Sequence, residues 1–334
     1  MTLSNSKNEL LEWTNHPVLI YGPRKSGTTM LQKLHDGGEH LLCFPDETKL
    51  KRLIREPDPI SSFSSKTYYS LNQTEFLKSI MRGKEYPNFN AASYRQLVKS
   101  IQNSDLSSLK DILRHDIFAV YQSIIQKPSN LVMWGMKEIG GDTKRIIQLF
   151  KELFPNGKIV MIVRNPLLVT RSVLTNRRRK GDQLNTNSII REIIDPIEVL
   201  YQQSQFLDDP NIYFVSYEKI TGGYLKENMM GICKYLGIPY SDIHTQTTTF
   251  GESIVVSSSS KVTTKVFRNK AKWYDGLTSS ERKLVVLYHK NFYHQKVKKN
   301  GKEIYFDLGY DHLTRMDGAK LTYSEIIAQM EKRS

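Results

Sequence analysis

Residues 18–31, VLIYGPRKSGTTML, hold Gly22 and Gly27 five positions apart, with Thr29 two places after the second glycine. A loop of that spacing, leaving a strand and opening a helix, aims backbone N–H groups at one anion, and the helix N-terminus adds partial positive charge. In a nucleoside-triphosphate loop a lysine follows the second glycine and reaches the β and γ phosphates. Here that position is Thr28, and the lysine comes earlier, at Lys25, preceded by Arg24. A cation projecting from within the loop suits one compact anionic group against the amides better than a metal-bridged triphosphate chain.

The surrounding elements must supply that setting. HPVLIYG (16–22) reads as a buried strand and SGTTMLQKLHDGG (26–38) as a helix, with Met30, Leu31 and Leu34 on one face and Gly37-Gly38 ending it. LLCF (41–44) is a short strand, and DETKLKRLIRE (46–56) begins a helix capped by Asp46. Loop follows at 56–66, then helical patterns near 74–83, 91–103 and 107–127. Strands return at 131–137, 157–166 and 211–218, alternating with helices at 142–155, about 166–178, 188–206 and 222–239. Alternation of this kind implies parallel strands with right-handed crossovers. The expected fold is a three-layer α/β/α domain with a central parallel sheet, P-loop-like, carrying a helical insertion. Beyond Pro239 no strand is expected; 244–273 is a long polar, serine- and threonine-rich segment of the length of a functional lid or a disordered stretch, and 279–295 is a helix.

The 334 residues allow a single domain, 1–334, with a core at about 16–55 and 131–290, an insertion at about 56–130 and a C-terminal extension at about 297–334. Cys43 and Cys233 form no CxxC pattern, which leaves no disulfide framework or zinc site and points to buried thiols in a reducing compartment. No apolar run reaches the ~18 residues of a membrane span. The N-terminus carries no signal-peptide pattern, so the expected location is cytoplasmic, or the Golgi lumen if an N-terminal anchor was removed. The net charge of +14 suits an anionic ligand. The basic runs NRRRK (176–180) and HQKVKKNGK (294–302) read as solvated surface, without the aromatic interleaving of a nucleic-acid groove.

PRKSGTT (23–29) resembles the 5′-phosphosulfate loop of the sulfotransferases that use 3′-phosphoadenosine 5′-phosphosulfate (PAPS), with Arg24 as an additional basic residue. IVRNPLLVTRS (162–172) is similar to their 3′-phosphate motif, in which a strand ends in arginine, Asn/Asp-Pro follows, and a serine comes eight residues after the arginine; Arg164 and Ser172 fit. An arginine at the carboxyl end of a parallel strand faces the ligand crevice, Pro166 suits a first helical turn, and Ser172 lies two turns on. VSYEK (215–219) resembles the strand whose tyrosine, here Tyr217, lies near the adenine, although a packed core tyrosine reads the same. The segment before Trp273 resembles the closing segment that adds basic contacts to the 3′-phosphate; Lys265, Arg268, Lys270 and Lys272 are candidates, with Arg268 and Lys270 preferred. WYDGLTSSE (273–281) matches a family ending, whereas the Arg-Lys-Gly closing motif of the cytosolic branch is absent. The resemblance spans about 17–40 and 131–290 and is closer to the tyrosylprotein, heparan and bacterial types.

What the resemblance implies is in-line transfer of a sulfuryl group from PAPS to an acceptor hydroxyl or amine, leaving 3′,5′-phosphoadenosine phosphate (PAP). A sulfuryl group carries less charge than a phosphoryl group, so no metal is expected. Lys25 is placed at the leaving oxygen, and Ser26, Gly27, Thr28 and Thr29 in the cradle of the 5′-phosphate. Glu47, 22 residues beyond Lys25, corresponds to the glutamate base of the tyrosylprotein type, with helix capping by Asp46 or Glu47 as the alternative. Lys137 ends a strand and either neutralises developing charge or forms a salt bridge; His115 is the fallback base. The acceptor is a small molecule, saccharide or peptide, its pocket bordered by 56–125 and 177–188. Neither nucleic acid nor a membrane span is expected, and oligomeric state is not readable. Two rivals stay open: a P-loop kinase or NTPase, which needs the missing lysine, and a non-catalytic module binding anionic ligands.

Overall fold

A computed structural model describes residues 12–54, 63–71, 75–83, 85–253, 256–257, 262–263, 266 and 274–292. Five strands form one parallel sheet: β1 (Pro17–Gly22), β2 (Leu41–Glu47), β3 (Met133–Ile139), β4 (Lys158–Val163) and β5 (Ile212–Ser216), in the order β2-β3-β1-β4-β5. Strands of such a sheet are covered on both faces, hence their nearly unbroken apolar runs. Along β1 the side chains alternate between two cores. Leu19 and Tyr21 join Met161, Phe150 and the helices between β2 and β3, whereas Val18 and Ile20 join Leu31, Leu34, Met229 and Ile232. This alternation is the three-layer arrangement expected from the sequence.

Around the sheet lie α1 (Thr28–His35), α2 (Leu50–Leu53), α3 (Ser65–Leu71), α4 (Glu75–Met81), α5 (Ala91–Gln102), α6 (Leu109–Ser123), α7 (Thr143–Leu153), α8 (Pro166–Arg179), α9 (Thr186–Ser204), α10 (Tyr217–Thr221), α11 (Leu225–Leu236) and α12 (Ser279–Phe292). Local chemistry starts several of them. Asn90, Ser108, Asp142, Asn165 and Asn185 each accept a backbone N–H from the first turn of the following helix. The chain leaves β1 toward β3 and β2 but leaves β4 toward β5. The carboxyl ends of β1 and β4 therefore border the crevice where ligands bind in such sheets.

Several expectations change. β2 runs to Glu47 instead of ending at Phe44, with Pro45 tolerated because β2 is an edge strand. Asp46 does not cap its own helix: that helix is only Leu50–Leu53, and Asp46 Oδ2 accepts the Phe76 amide at 2.8 Å, in the first turn of α4. Tyr217 and Glu218 open α10 instead of extending β5. Beyond Pro239, two short antiparallel pairs form, Thr248–Thr249 with Glu252–Ser253 and Val256–Ser257 with Val262–Thr263. The arginines at the end of α8 are not a bare solvated run: Arg177 pairs with Asp182 and Glu192, and Arg178 with Glu281. Both cysteines are buried free thiols. Lys265, Arg268, Lys270, Lys272, Trp273, the run 294–302 and the C-terminal extension lie outside the described residues.

Candidate active site

β1 ends on Gly22, where a Cβ would lie 2.6 Å from the Ile162 carbonyl oxygen and 2.7 Å from Ser26 Oγ. The turn then passes through two left-handed positions, Lys25 at φ 65° and Gly27 at φ 98°. That geometry costs little at glycine but about 1–2 kcal/mol at lysine, and it sets up Thr28 as the first residue of α1. Gly27 caps α1 without a side-chain acceptor, so the first-turn amides are left for a ligand. Ser26 is buried, and its Oγ has no hydrogen-bond partner.

The Lys25 ammonium is held below its ordinary value, first by partial desolvation and then by Lys180, Arg179, Arg24 and Arg164. A lysine so crowded by like charge is a poor partner for another cation and a strong one for an anion. Arg24 itself is tied to Glu192 of α9, which also receives Arg177 at 2.9 Å.

Arg164 follows the last residue of β4 and is buried. Its guanidinium lies 4.0 Å from the centroid of the Tyr217 ring, and Nη1 donates to the Lys25 carbonyl at 2.5 Å. The Tyr217 ring in turn lies against the turn: a Cβ on Gly27 would sit 2.5 Å from it. Arg164, Tyr217, Lys25 and Gly27 thus meet across the β1/β4 crevice. Arg164 Nε and Asn165 Nδ2 are buried without partners. Glu218, fully enclosed, accepts the Asn165 amide at 3.2 Å. Burial pushes its carboxyl up to about 7, with the nearby Arg164 opposing. Ser172 is buried on α8, and beside it Arg171, whose pKa is lowered by burial first and by Arg164 after it while Asp275 opposes, donates to the Asp275 carbonyl at 2.9 Å.

On the other side of the turn, Lys137 is buried at the end of β3, and its Nζ donates to Thr29 Oγ1 at 3.1 Å. Burial lowers its pKa, while Asp46, Glu47 and Glu138 oppose that shift. Glu47 pairs in register with Lys137, and its Oε1 accepts from Lys51 Nζ at 2.5 Å. His115 lies in α6 with Nδ1 2.7 Å from the Asp111 carbonyl, an intrahelical contact.

Thr29, Lys137 and Glu47 are therefore linked on one side of the turn, and Lys25, Arg164 and Tyr217 on the other. Sequence reasoning missed Lys51, Glu138, Arg171 and Glu218. Each carried a positional signal: Lys51 comes four residues after Glu47, and Glu138, Arg171 and Glu218 adjoin Lys137, Ser172 and Tyr217. Among the described residues, no group of three or more His, Cys, Asp or Glu side chains is placed to hold a metal. None of the described helices is long and apolar enough to cross a membrane.

The sulfotransferase family model matches residues 17–242 of this chain. Among solved structures, the sulfotransferase domain of the Synechococcus PCC 7002 olefin synthase is similar at TM-score 0.50 and 16% identity, covering 70% of this chain and 78% of that one. The sulfotransferase domain of the curacin biosynthetic pathway gives TM-score 0.49, 16% identity and the same coverages, 70% and 78%. A mouse sulfotransferase solved with PAP gives TM-score 0.43 and 13% identity, over 89% of this chain and 94% of that one. At 16% identity the likeness to the olefin synthase domain concerns the fold alone. No curated protein matches.

Proposed function

The chain belongs to the sulfotransferase family, and from that premise we propose that it transfers a sulfuryl group from PAPS to an acceptor hydroxyl or amine. The observation that carries this reading is the contact of Arg164 with both Tyr217 and the Lys25 carbonyl. It puts a buried guanidinium and an aromatic face against an amide-rich turn. The residues fit the nucleotide. Ser26 Oγ and Arg164 Nε are buried donors without partners, and the glycines leave no room for side chains where the turn must close.

In this reading the amides of Gly27, Thr28 and Thr29, with Ser26 and the threonine hydroxyls, hold the 5′-phosphate. Arg164 and Ser172 hold the 3′-phosphate, and Tyr217 faces the adenine. Arg24 acts on the turn through Glu192. When bound, PAPS supplies an activated sulfuryl group on a good leaving group. Lys25 places its charge at the leaving oxygen, and its crowding by four cations favours that contact. Lys137, drawn into the site by Thr29, offers a second charge to the transferring group. Glu47, on the acceptor side, takes the acceptor proton. The acceptor class is a small molecule, a saccharide or a peptide.

The test is a screen of hydroxyl and amine acceptors with [35S]PAPS. It compares the intact chain with Lys25→Ala and Glu47→Ala. Label should move to at least one acceptor with the intact chain and to none with either variant. PAP bound without transfer to any acceptor would favour a binding module instead.

A further inference from the structure

Glu47 does not stand alone. It ends β2, and the chain turns through Lys49, at φ 56°, into α2. That turn brings Lys51 back over the end of β3. Lys51 Nζ is 2.5 Å from Glu47 Oε1, 2.9 Å from the Ile139 carbonyl oxygen and 3.6 Å from Glu138 Oε1. Glu138 is fully buried. Its Oε1 accepts the Ile139 amide at 3.2 Å, while Oε2 is buried without a hydrogen-bond partner. The charged and titratable groups around this cluster are Lys51 and Glu47, Lys137 on the same strand, Tyr21 across the β1/β3 pair, and Asp195 of α9 near Lys51 and Tyr21.

We propose that Lys51 is the positioning residue that fixes the Glu47 carboxylate on the acceptor side of the transfer site, and that the buried Glu138 controls how firmly it does so. The inference rests on the reading of Glu47 as the base. One ammonium here faces one carbonyl and two carboxyl groups. If both carboxyls are charged, they compete for it and repel each other. If Glu138 is neutral, it no longer competes for the ammonium, and its carboxyl lies within hydrogen-bonding reach of Glu47, so Lys51 and Glu138 both hold the Glu47 carboxylate in place. Burial, and after it the neighbouring Glu47, push the Glu138 carboxyl up to about 8 against the opposing pull of Lys51. That shift favours the neutral form of Glu138 at neutral pH. Its ionisation in mildly alkaline solution divides Lys51 between two carboxylates and loosens the base.

The claim can be read without knowing the acceptor. The full chain labelled with 13C at the glutamate carboxyls is titrated by NMR from pH ~6 to ~10, with Glu47→Gln and Glu138→Gln assigning the two signals. The Glu47 signal should move in a step near the Glu138 transition, and that step should vanish in Glu138→Gln, whose amide keeps the shape. Lys51→Arg should keep the wild-type curve, and Lys51→Met should change it. A Glu47 signal with no such step, or one that persists in Glu138→Gln, overturns the proposal. With any acceptor found by the screen, Lys51→Met should lower kcat ~10-fold at neutral pH with KM for PAPS unchanged, and Lys51→Arg should recover most of it. Transfer by Glu47→Gln at the wild-type rate overturns the base reading and the Lys51 role with it. An inactive Glu47→Gln beside a wild-type kcat in Lys51→Met overturns the Lys51 role alone.

Discussion

Lys137 Nζ lies 3.1 Å from Thr29 Oγ1, joining the end of β3 to the first turn of α1 across 108 residues of chain. The contact holds a buried cation at the mouth of the anion cradle. Removing it should damage the reaction more than the binding of the nucleotide. Lys137→Met is expected to lower kcat by about 10²-fold or more, with PAP affinity by calorimetry close to wild type. A kcat that stays within a few-fold of wild type would leave Lys137 as a structural hydrogen-bond partner of Thr29.

Gly27 has two reasons to be glycine. Its φ is 98°, and a Cβ would lie 2.5 Å from the Tyr217 ring. Gly27→Ala should therefore displace both the turn and the tyrosine beneath Arg164. The expected result is a lower Tm, with a left-handed alanine alone costing about 1–2 kcal/mol, and PAP binding weakened by more than the ~10-fold that 1.4 kcal/mol represents. Retained wild-type affinity would show that the turn does not form the nucleotide site.

Asp116 gives a pH dependence remote from the β1/β4 crevice. It is buried in the helical layer and accepts hydroxyls from Tyr69, Tyr94 and Tyr68 at 3.1, 3.2 and 3.3 Å. Burial raises its carboxyl from 3.8 to about 6, the three hydroxyls opposing. A carboxyl raised on folding contributes stability that is fully present below the unfolded value and lost as the pH climbs through the folded one. The window is thus about pH 4 to 6, and the swing is on the order of 3 kcal/mol. The buried His35 and His289, held at about 4 and about 3, pull the other way across the same window, so the test is a difference. In urea unfolding the stability of the intact chain should fall relative to that of Asp116→Asn as pH rises, and a difference that stays constant with pH would refute the assignment.

Much of the crevice could be read from sequence because its parts are local. The Gly22–Gly27 spacing marks a turn between a strand and a helix, and the run ending in Arg164-Asn165-Pro166 marks a strand giving way to a helix. The misreadings arise where distant segments decide. Asp46 looks like the cap of its own helix, but pairing with β3 keeps that stretch extended and hands the carboxylate to α4. Arg24 looks free for a ligand, yet Glu192, 168 residues away, holds it. Lys51 stands four residues from Glu47, but the left-handed turn at Lys49, not a helix, makes them meet. Glu138 gives no sign in sequence of being the buried member of that cluster, because its environment is built by β1, α2 and α9.

The central claim is that Arg164 and the turn after β1 grip two phosphates of one nucleotide. Titration calorimetry with PAP, 5′-AMP and ATP with magnesium, on the intact chain and on Arg164→Ala, tests it most directly. The intact chain should prefer PAP to 5′-AMP by ~10- to 100-fold, the worth of a charge-assisted contact to the 3′-phosphate. Arg164→Ala should bring those two affinities together by weakening PAP far more than 5′-AMP, whose smaller loss reports the contacts of Arg164 with the Lys25 carbonyl and Tyr217. ATP with magnesium binding more tightly than PAP, or a PAP preference that survives Arg164→Ala, would contradict the account.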